Sequence, residues 1–142
     1  MTAAKALSLC NCFAVRQAAR QVTKRYEGYL AEAQLTSAQF SILAALGEEG
    51  RMTMIDLAKV LVMDRTTLLR AMKPLQREGL LKSTASDTDA RQLVFSLSSA
   101  GERKLKEAKP LWTKAQEEFE AGMGQREAAR LRAALLALAG DA

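Results

Sequence analysis

Apolar residues recur at helical spacing along most of this chain, and the period is interrupted once, between about residues 80 and 98. From Ala4 to Ala33, Cys12, Val15, Ala19, Val22, Tyr26 and Tyr29 follow at alternating three- and four-residue steps, with no proline between them. That spacing predicts one long amphipathic helix. After "LTSAQF", where Thr36 or Ser37 can cap, Phe40, Leu43, Ala44 and Leu46 predict a second helix. It should stop in the breaker-rich "GEEG" of Gly47–Gly50. Thr53 caps a third helix with Met54, Leu57, Ala58 and Leu61 on one face. A break at Val62–Met63 leads to Asp64, a strong N-cap, and to a fourth helix closed by Gly79. Leu68, Ala71, Met72 and Leu75 supply its inner face, and Pro74 removes one of its backbone hydrogen bonds.

Next, "LLKSTA" and "QLVFSLS" read as short strands, the second alternating Leu93, Phe95 and Leu97, with the polar turn "SDTDAR" between them. Ser99 and Glu102 are spaced as a capping box that opens a long charged helix running to about Gly122. A last helix carries Leu131, Leu135 and Leu138 on one side. The expected fold is mainly α with a small β-hairpin wing: a winged helix–turn–helix between long N- and C-terminal helices. One domain, 1–142, is divided into a winged part, 36–98, and a helical part, 4–33 with 99–140. The stripes on the terminal helices exceed what so small a middle can cover, which predicts a two-fold homodimer through them.

Charge and composition narrow the function. The formal net charge is +5 and hydrophobic residues make up 49% of the 142, a soluble balance that suits an anionic partner. Histidine is absent, which excludes histidine metal sites and Ser-His or Cys-His nucleophilic catalysis. With no glycine-rich phosphate loop either, an enzyme is not expected, nor a metal or cofactor. The N-terminal "MTAAKALSLC" lacks the long apolar core of a signal peptide, so the expected location is cytoplasmic, with reduced thiols and no membrane partner.

The fourth helix then acquires a meaning. Opposite its leucines it shows Arg65, Thr66, Thr67, Arg70, Lys73 and Arg77. Short hydroxyls and a guanidinium in the first turn suit a helix entering a major groove, where arginine forks onto guanine and threonine meets a phosphate or a thymine methyl. In the hairpin turn, Asp89 precedes Arg91 by two residues and can orient its guanidinium toward the narrow minor groove. The expected partner is double-stranded DNA. The competing reading is a winged-helix module that binds protein without specific DNA contacts, which steep salt dependence of DNA binding would exclude.

"LTSAQFSILAAL", "MTMIDLAKVLVMDRTTLLRAMKPLQREGLL" and "DTDARQLVFSLSSAGERKL" resemble the MarR family of winged helix–turn–helix regulators, from about Leu9 to Leu138. The resemblance implies a homodimer joined through its first and last helices and bound to a palindromic operator. It also implies repression relieved by a small aromatic acid, a drug-like molecule or an oxidant. "CFAVRQAARQVTKRY" is similar to a branch that senses organic hydroperoxides through a cysteine near the start of the first helix. On that likeness Cys12 is the reactive thiol and Tyr26 the tyrosine that hydrogen-bonds it. A second tyrosine of that branch is replaced by Ser37, and another aromatic by Arg16.

Two readings of Cys12 stand side by side. A helix N-terminus and Arg16, four residues on, favour a reactive thiolate. Val15 and Ala19 favour a packed, inert sulfur. A further alternative is a small-molecule pocket between the dimer helices and the winged part, lined by Tyr26, Tyr29, Phe40 and Trp112. On one continuous helix, residues two apart point to nearly opposite sides, so Cys10 and Cys12 should not bridge, and Cys10 is a bystander unless the first turn frays.

Overall fold

The computed structural model describes residues 2–140; Met1, Asp141 and Ala142, the ends of the 1–142 span, lie outside the described residues. Where one long first helix was expected there are two, α1 (Ala3–Ser8) and α2 (Asn11–Leu30), followed by a single 3-10 turn at Ala31–Ala33. The break has a local cause. Ser8 Oγ donates to the Lys5 carbonyl, closing α1, and Cys10 takes an extended conformation as the N-cap of α2. Such side-chain bonds to the backbone compete with the helical ladder. Gln34, in the left-handed region at φ 59°, then turns the chain.

Helix α3 (Ser37–Glu49) begins with a complete capping box, Thr36 with Gln39, and runs through Gly47 to end at Gly50 (φ 83°). The "GEEG" stretch is therefore mostly helix, and only its last glycine is the stop. Helix α4 (Met54–Leu61) is capped by Thr53, whose hydroxyl accepts the Asp56 N–H at 3.1 Å. Val62, left-handed at φ 50°, makes the break before α5 (Arg65–Arg77). Proline at position 74 does not stop α5; Glu78 and Gly79 (φ 70°) end it.

The wing has a third strand that short-range alternation did not disclose. Met52–Thr53 (β1) pairs antiparallel with β3 (Leu93–Leu97), which pairs on its other side with β2 (Leu81–Ala85), giving the order β1-β3-β2. Leu81 faces Leu97 and Ala85 faces Leu93. Phe95 and Leu97 are buried, but Leu93 is exposed, because the hairpin has by then passed the edge of the core.

Helix α6 (Ser99–Met123) starts one residue earlier than the Ser99–Glu102 box predicts. Its N-cap is Ser98, which accepts the Gly101 N–H at 3.0 Å and donates to the Gly79 carbonyl at 2.6 Å. The Ser98 N–H also donates to the Leu80 carbonyl. These bonds join the end of α5, the root of the wing and the start of α6 at one point. Helix α7 (Gln125–Gly140) packs on α6.

Helix α3 lies at the centre, touching α2, α4, α5, α6 and β3. Around it Ile42, Leu43, Leu46, Leu57, Leu68, Met72, Leu75 and Phe95 form a core in which each is almost wholly removed from water. The terminal helices differ. Leu7, Leu9, Val15, Leu135, Leu136 and Leu138 are all exposed in the single chain. Among the described residues no helix is long and apolar enough to cross a membrane.

Candidate nucleic-acid interface

Helix α5 separates its two faces cleanly. Leu68, Met72 and Leu75 are buried, whereas Arg65, Thr66, Thr67, Arg70, Lys73 and Arg77 are all exposed. Its orientation starts with Asp64, whose carboxylate accepts from the Thr67 N–H at 2.7 Å and from the Thr67 hydroxyl at 3.0 Å. Thr67 is thus a capping partner whose hydroxyl hydrogen is already committed, while Thr66 keeps its own. The N-terminus of such a helix presents amide N–H groups to an anion.

The bonds from Thr67, chiefly the backbone one, hold the Asp64 carboxyl below its ordinary range, with Arg70 adding to the effect. A lowered native pKa means the cap stabilises the fold above the ordinary carboxylate range and is lost as pH falls through that range. Asp64→Ala is therefore expected to have a lower urea midpoint than the parent at pH 7, with the gap closing toward pH 2. A gap that stays constant across that range would show that the carboxylate is not the cap.

In the wing, Asp89 Oδ1 accepts the Arg91 N–H at 3.0 Å and lies 3.7 Å from Arg91 Nε. The carboxylate thereby fixes the backbone of the turn and pairs with the guanidinium, whose side chain is 95% exposed to solvent. Bonds from Gln92 N–H to the Asp89 carbonyl and from Ser86 N–H to the Gln92 carbonyl close the turn.

The two arginines predicted from separate segments meet. Arg65 and Arg91 line a single cleft of about 270 Å³, floored by Met54, Ala58 and Phe95. Arg70, Lys73 and Arg77 stand apart, along a groove at the far end of α5. Gln92, on the first cleft, and Arg51, 3.8 Å from Asp87 of the wing loop, share this surface without a sequence pattern to mark them. Arg51 immediately precedes β1, and a two-residue strand leaves no alternation to draw attention to its neighbours.

The MarR family profile matches residues 35–93, the stretch that holds the exposed cations of α5 and of the wing loop. The organic hydroperoxide resistance transcriptional regulator of Bacillus subtilis is 29% identical over 90 residues, 63% of this chain. That match spans 61% of the Bacillus protein, less than two thirds of its length. The fold and the sequence agree over a far longer stretch with the Mycobacterium tuberculosis transcriptional regulator MosR, solved in complex with DNA. The TM-score is 0.82 and identity 35%, over 93% of this chain and 95% of that one. The chain belongs to the MarR family. The transcriptional repressor CouR, solved on a DNA duplex, is also similar, with TM-score 0.84 and 27% identity over 94% of each chain. This is a family of transcriptional regulators, not of enzymes.

The residues assigned to effector sensing lie in separate parts of the single chain. Cys12 and Tyr26 lie on the same helix, about 21 Å apart along its axis at 1.5 Å per residue, so no bond joins them within one chain. The Tyr26 hydroxyl donates instead to Gln116 Oε1. Burial, then the charge of Glu120, push its pKa up, with Arg132 opposing, so Tyr26 stays a neutral donor. It lines a cleft with Val22, Phe119 and leucines of α7. Phe40 and Trp112 stack elsewhere, ring centroids 6.3 Å apart, on a cleft of about 490 Å³ between α3, the end of α4 and α6. Tyr29 pairs with Glu118, whose hydrogen bond and charge raise its pKa. The single pocket of four aromatics is corrected to one aromatic pair and two separate tyrosines. Helix faces predict which side a residue occupies, not which neighbouring helix meets it.

Cys12 is exposed, as is Val15 beside it, so in the single chain the stripe they share is uncovered.

Proposed function

We propose that this chain is a DNA-binding repressor that acts in the cytoplasm as a two-fold homodimer on a palindromic operator. Residues 36–98 read the duplex, and 4–33 with 99–140 hold the two copies together. The observation that carries this is the meeting of Arg65, at the exposed start of α5, with Arg91, at the free tip of the wing, on one surface. Thr66 and Arg65 face the base edges or phosphates at the groove entrance, Thr67 acts through its cap and methyl, and Arg70, Lys73 and Arg77 track the backbone. Asp89 sets the turn from which Arg91 reaches the minor groove. The uncovered leucines of α7 and the apolar residues of α1 and α2 form the face between copies. Release is by a small aromatic or oxidant effector, supported by the cleft at Phe40 and Trp112 and by the thiols at the start of α2.

The test is equilibrium binding to a promoter fragment at several salt concentrations. Several phosphate contacts per dimer release counterions, so affinity should fall steeply as salt rises. Affinity that is weak and nearly salt-independent would turn the reading toward a protein-binding module. Within the same assay, Arg91→Ala is expected to weaken operator binding by about 1–3 kcal/mol, the worth of one good groove contact. Unchanged affinity in that variant would remove the wing from the interface.

A further inference from the structure

Arg51 and Asp87 are charged side chains to which the contacts assigned so far give no role. Met52, the first residue of β1, is buried, and Thr53 beside it lines the cleft that holds Arg65 and Arg91. Alternate side chains of an extended chain share a face, so Arg51, two residues before Thr53, stands on the cleft's side of β1. Its guanidinium reaches across to the wing loop, where Nη1 lies 3.8 Å from Asp87 Oδ2.

Asp87 is held outward by its neighbours. The Thr88 N–H donates to Ser86 Oγ at 3.3 Å, and the Ser86 and Thr88 hydroxyls share a hydrogen bond of 3.1 Å. The loop closes on itself there, and the Asp87 side chain is left 88% exposed. A carboxylate so placed, beside the face that carries Arg65 and Arg91, repels a phosphate unless a cation masks it. Arg51 is that mask, and a weak one. Its own side chain is 56% exposed, and the two charges sit beyond hydrogen-bond distance, so water screens the pair. A duplex makes a stronger claim on the guanidinium, because each phosphate neutralised by the protein also releases counterions.

We propose that Arg51 is a DNA phosphate contact at the flank of the wing, held by Asp87 in the free protein and transferred to the backbone when a duplex docks. Arginine suits such an exchange, since its planar fork of five N–H donors fits carboxylate and phosphate alike. The transfer leaves Asp87 unpaired beside the duplex. Any duplex that brings no phosphate within reach of Arg51 therefore meets a masked cation and gains nothing from it. The pair thus selects for the path of the backbone, a property that depends on DNA shape and not on base edges.

This inference rests on the DNA-binding reading above. The experiment measures binding of the full chain to a promoter fragment and to an unrelated duplex over a range of salt. It compares the parent with Arg51→Gln, Arg51→Lys, Asp87→Asn and the double variant Arg51→Gln/Asp87→Asn. Arg51→Gln should weaken both duplexes alike, about tenfold per contact near 0.1 M salt. The slope of log affinity against log salt should fall by about 0.9 per contact, and Arg51→Lys should restore it. An unchanged slope would overturn the phosphate contact, as would a loss confined to the promoter fragment, which points to base reading. Asp87→Asn should bind about two- to fivefold tighter, the worth of an exposed pair. That gain should be smaller in the Arg51→Gln background, where there is no pair to break. No gain, or one equally large in both backgrounds, would overturn the exchange. Both side chains are exposed, so every variant should keep the parent's urea midpoint. Parent protein that binds neither duplex would refute the regulator reading and this contact together, whereas an unchanged slope refutes the contact alone.

Discussion

Gly101→Ala is expected to lower the stability of the chain by about 3 kcal/mol, at the upper end for overpacking a tight site, seen as a fall in the urea midpoint. Gly101 lies in the first turn of α6, pressed against the root of the wing. A β-carbon there would overlap the Leu80 carbonyl oxygen and lie 3.1 Å from the carbonyl carbon and 3.4 Å from Leu97 Cβ. Leu80 cannot withdraw cheaply, because its carbonyl accepts the Ser98 N–H at 3.0 Å and its side chain is buried. Relief therefore means moving α6 away from β2 and breaking a bond at the junction.

Gly47→Ala provides the contrast. Its β-carbon would meet Leu105 Cδ2 at 2.5 Å, the far end of a side chain that can rotate. Alanine also gains about 1 kcal/mol over glycine in a helix interior, which offsets the repacking, so the net change should be small. Equal urea midpoints for Gly101→Ala and the parent would show that the junction is softer than its hydrogen bonds suggest.

The second large effect concerns the terminal helices. A chain carrying Leu135→Arg and Leu138→Arg is expected to become monomeric and to lose about a hundredfold in operator affinity. Both leucines are exposed in the single chain, at 44% and 63%, so replacing them costs the fold itself little. In the proposed homodimer their cost to the face between copies is high, since each buried leucine is worth about 1.5–3 kcal/mol and a buried arginine without a partner is worse. Two linked reading heads bind a palindrome with an avidity of roughly 10²–10⁴ over one, and the monomer forfeits it. Sedimentation and gel shift at fixed salt give both numbers, and an unchanged urea midpoint at low protein concentration confirms the intact chain. A variant that remains dimeric would move the interface off α7; a monomer with full affinity would mean that one head suffices.

What could be read from the sequence was what local chemistry decides. Asp64 before a run with Leu68, Met72 and Leu75 at helical spacing places both the start and the buried side of α5, and hence its exposed cations. The Asp89–Arg91 turn was legible for the same reason, since the carboxylate acts two residues away. What could not be read depends on distant partners. The first helix breaks without glycine or proline, through a serine bonding backward and a sulfur acting as cap, a weak acceptor that cap preferences do not anticipate. Between two adjacent serines, the choice of Ser98 as N-cap is made by the Gly79 and Leu80 carbonyls, which no local rule can see. Strand β1 exists only because Phe95 and Val94 offer it an edge. Each aromatic of the expected pocket was placed on a helix correctly, but α6 meets α2 and α3 at different levels, so the rings divide.

The wing is built like a cantilever. Its root is clamped by the Ser98 bonds, by Phe95 in the core and by β1 along one edge. Beyond Ala85 and Leu93, its loop is closed by Ser86, Asp89 and Gln92, and reaches the rest of the chain through the exposed Asp87–Arg51 ion pair and the cleft that Arg91 and Gln92 share with α4. Residues 87–91 can therefore be exchanged, one turn for another of similar closure, at little expense to folding. If the wing reads DNA as proposed, the same fold can in this way acquire a new groove preference while its stability stays where it was, so that selection on DNA recognition and selection on the core act on different residues.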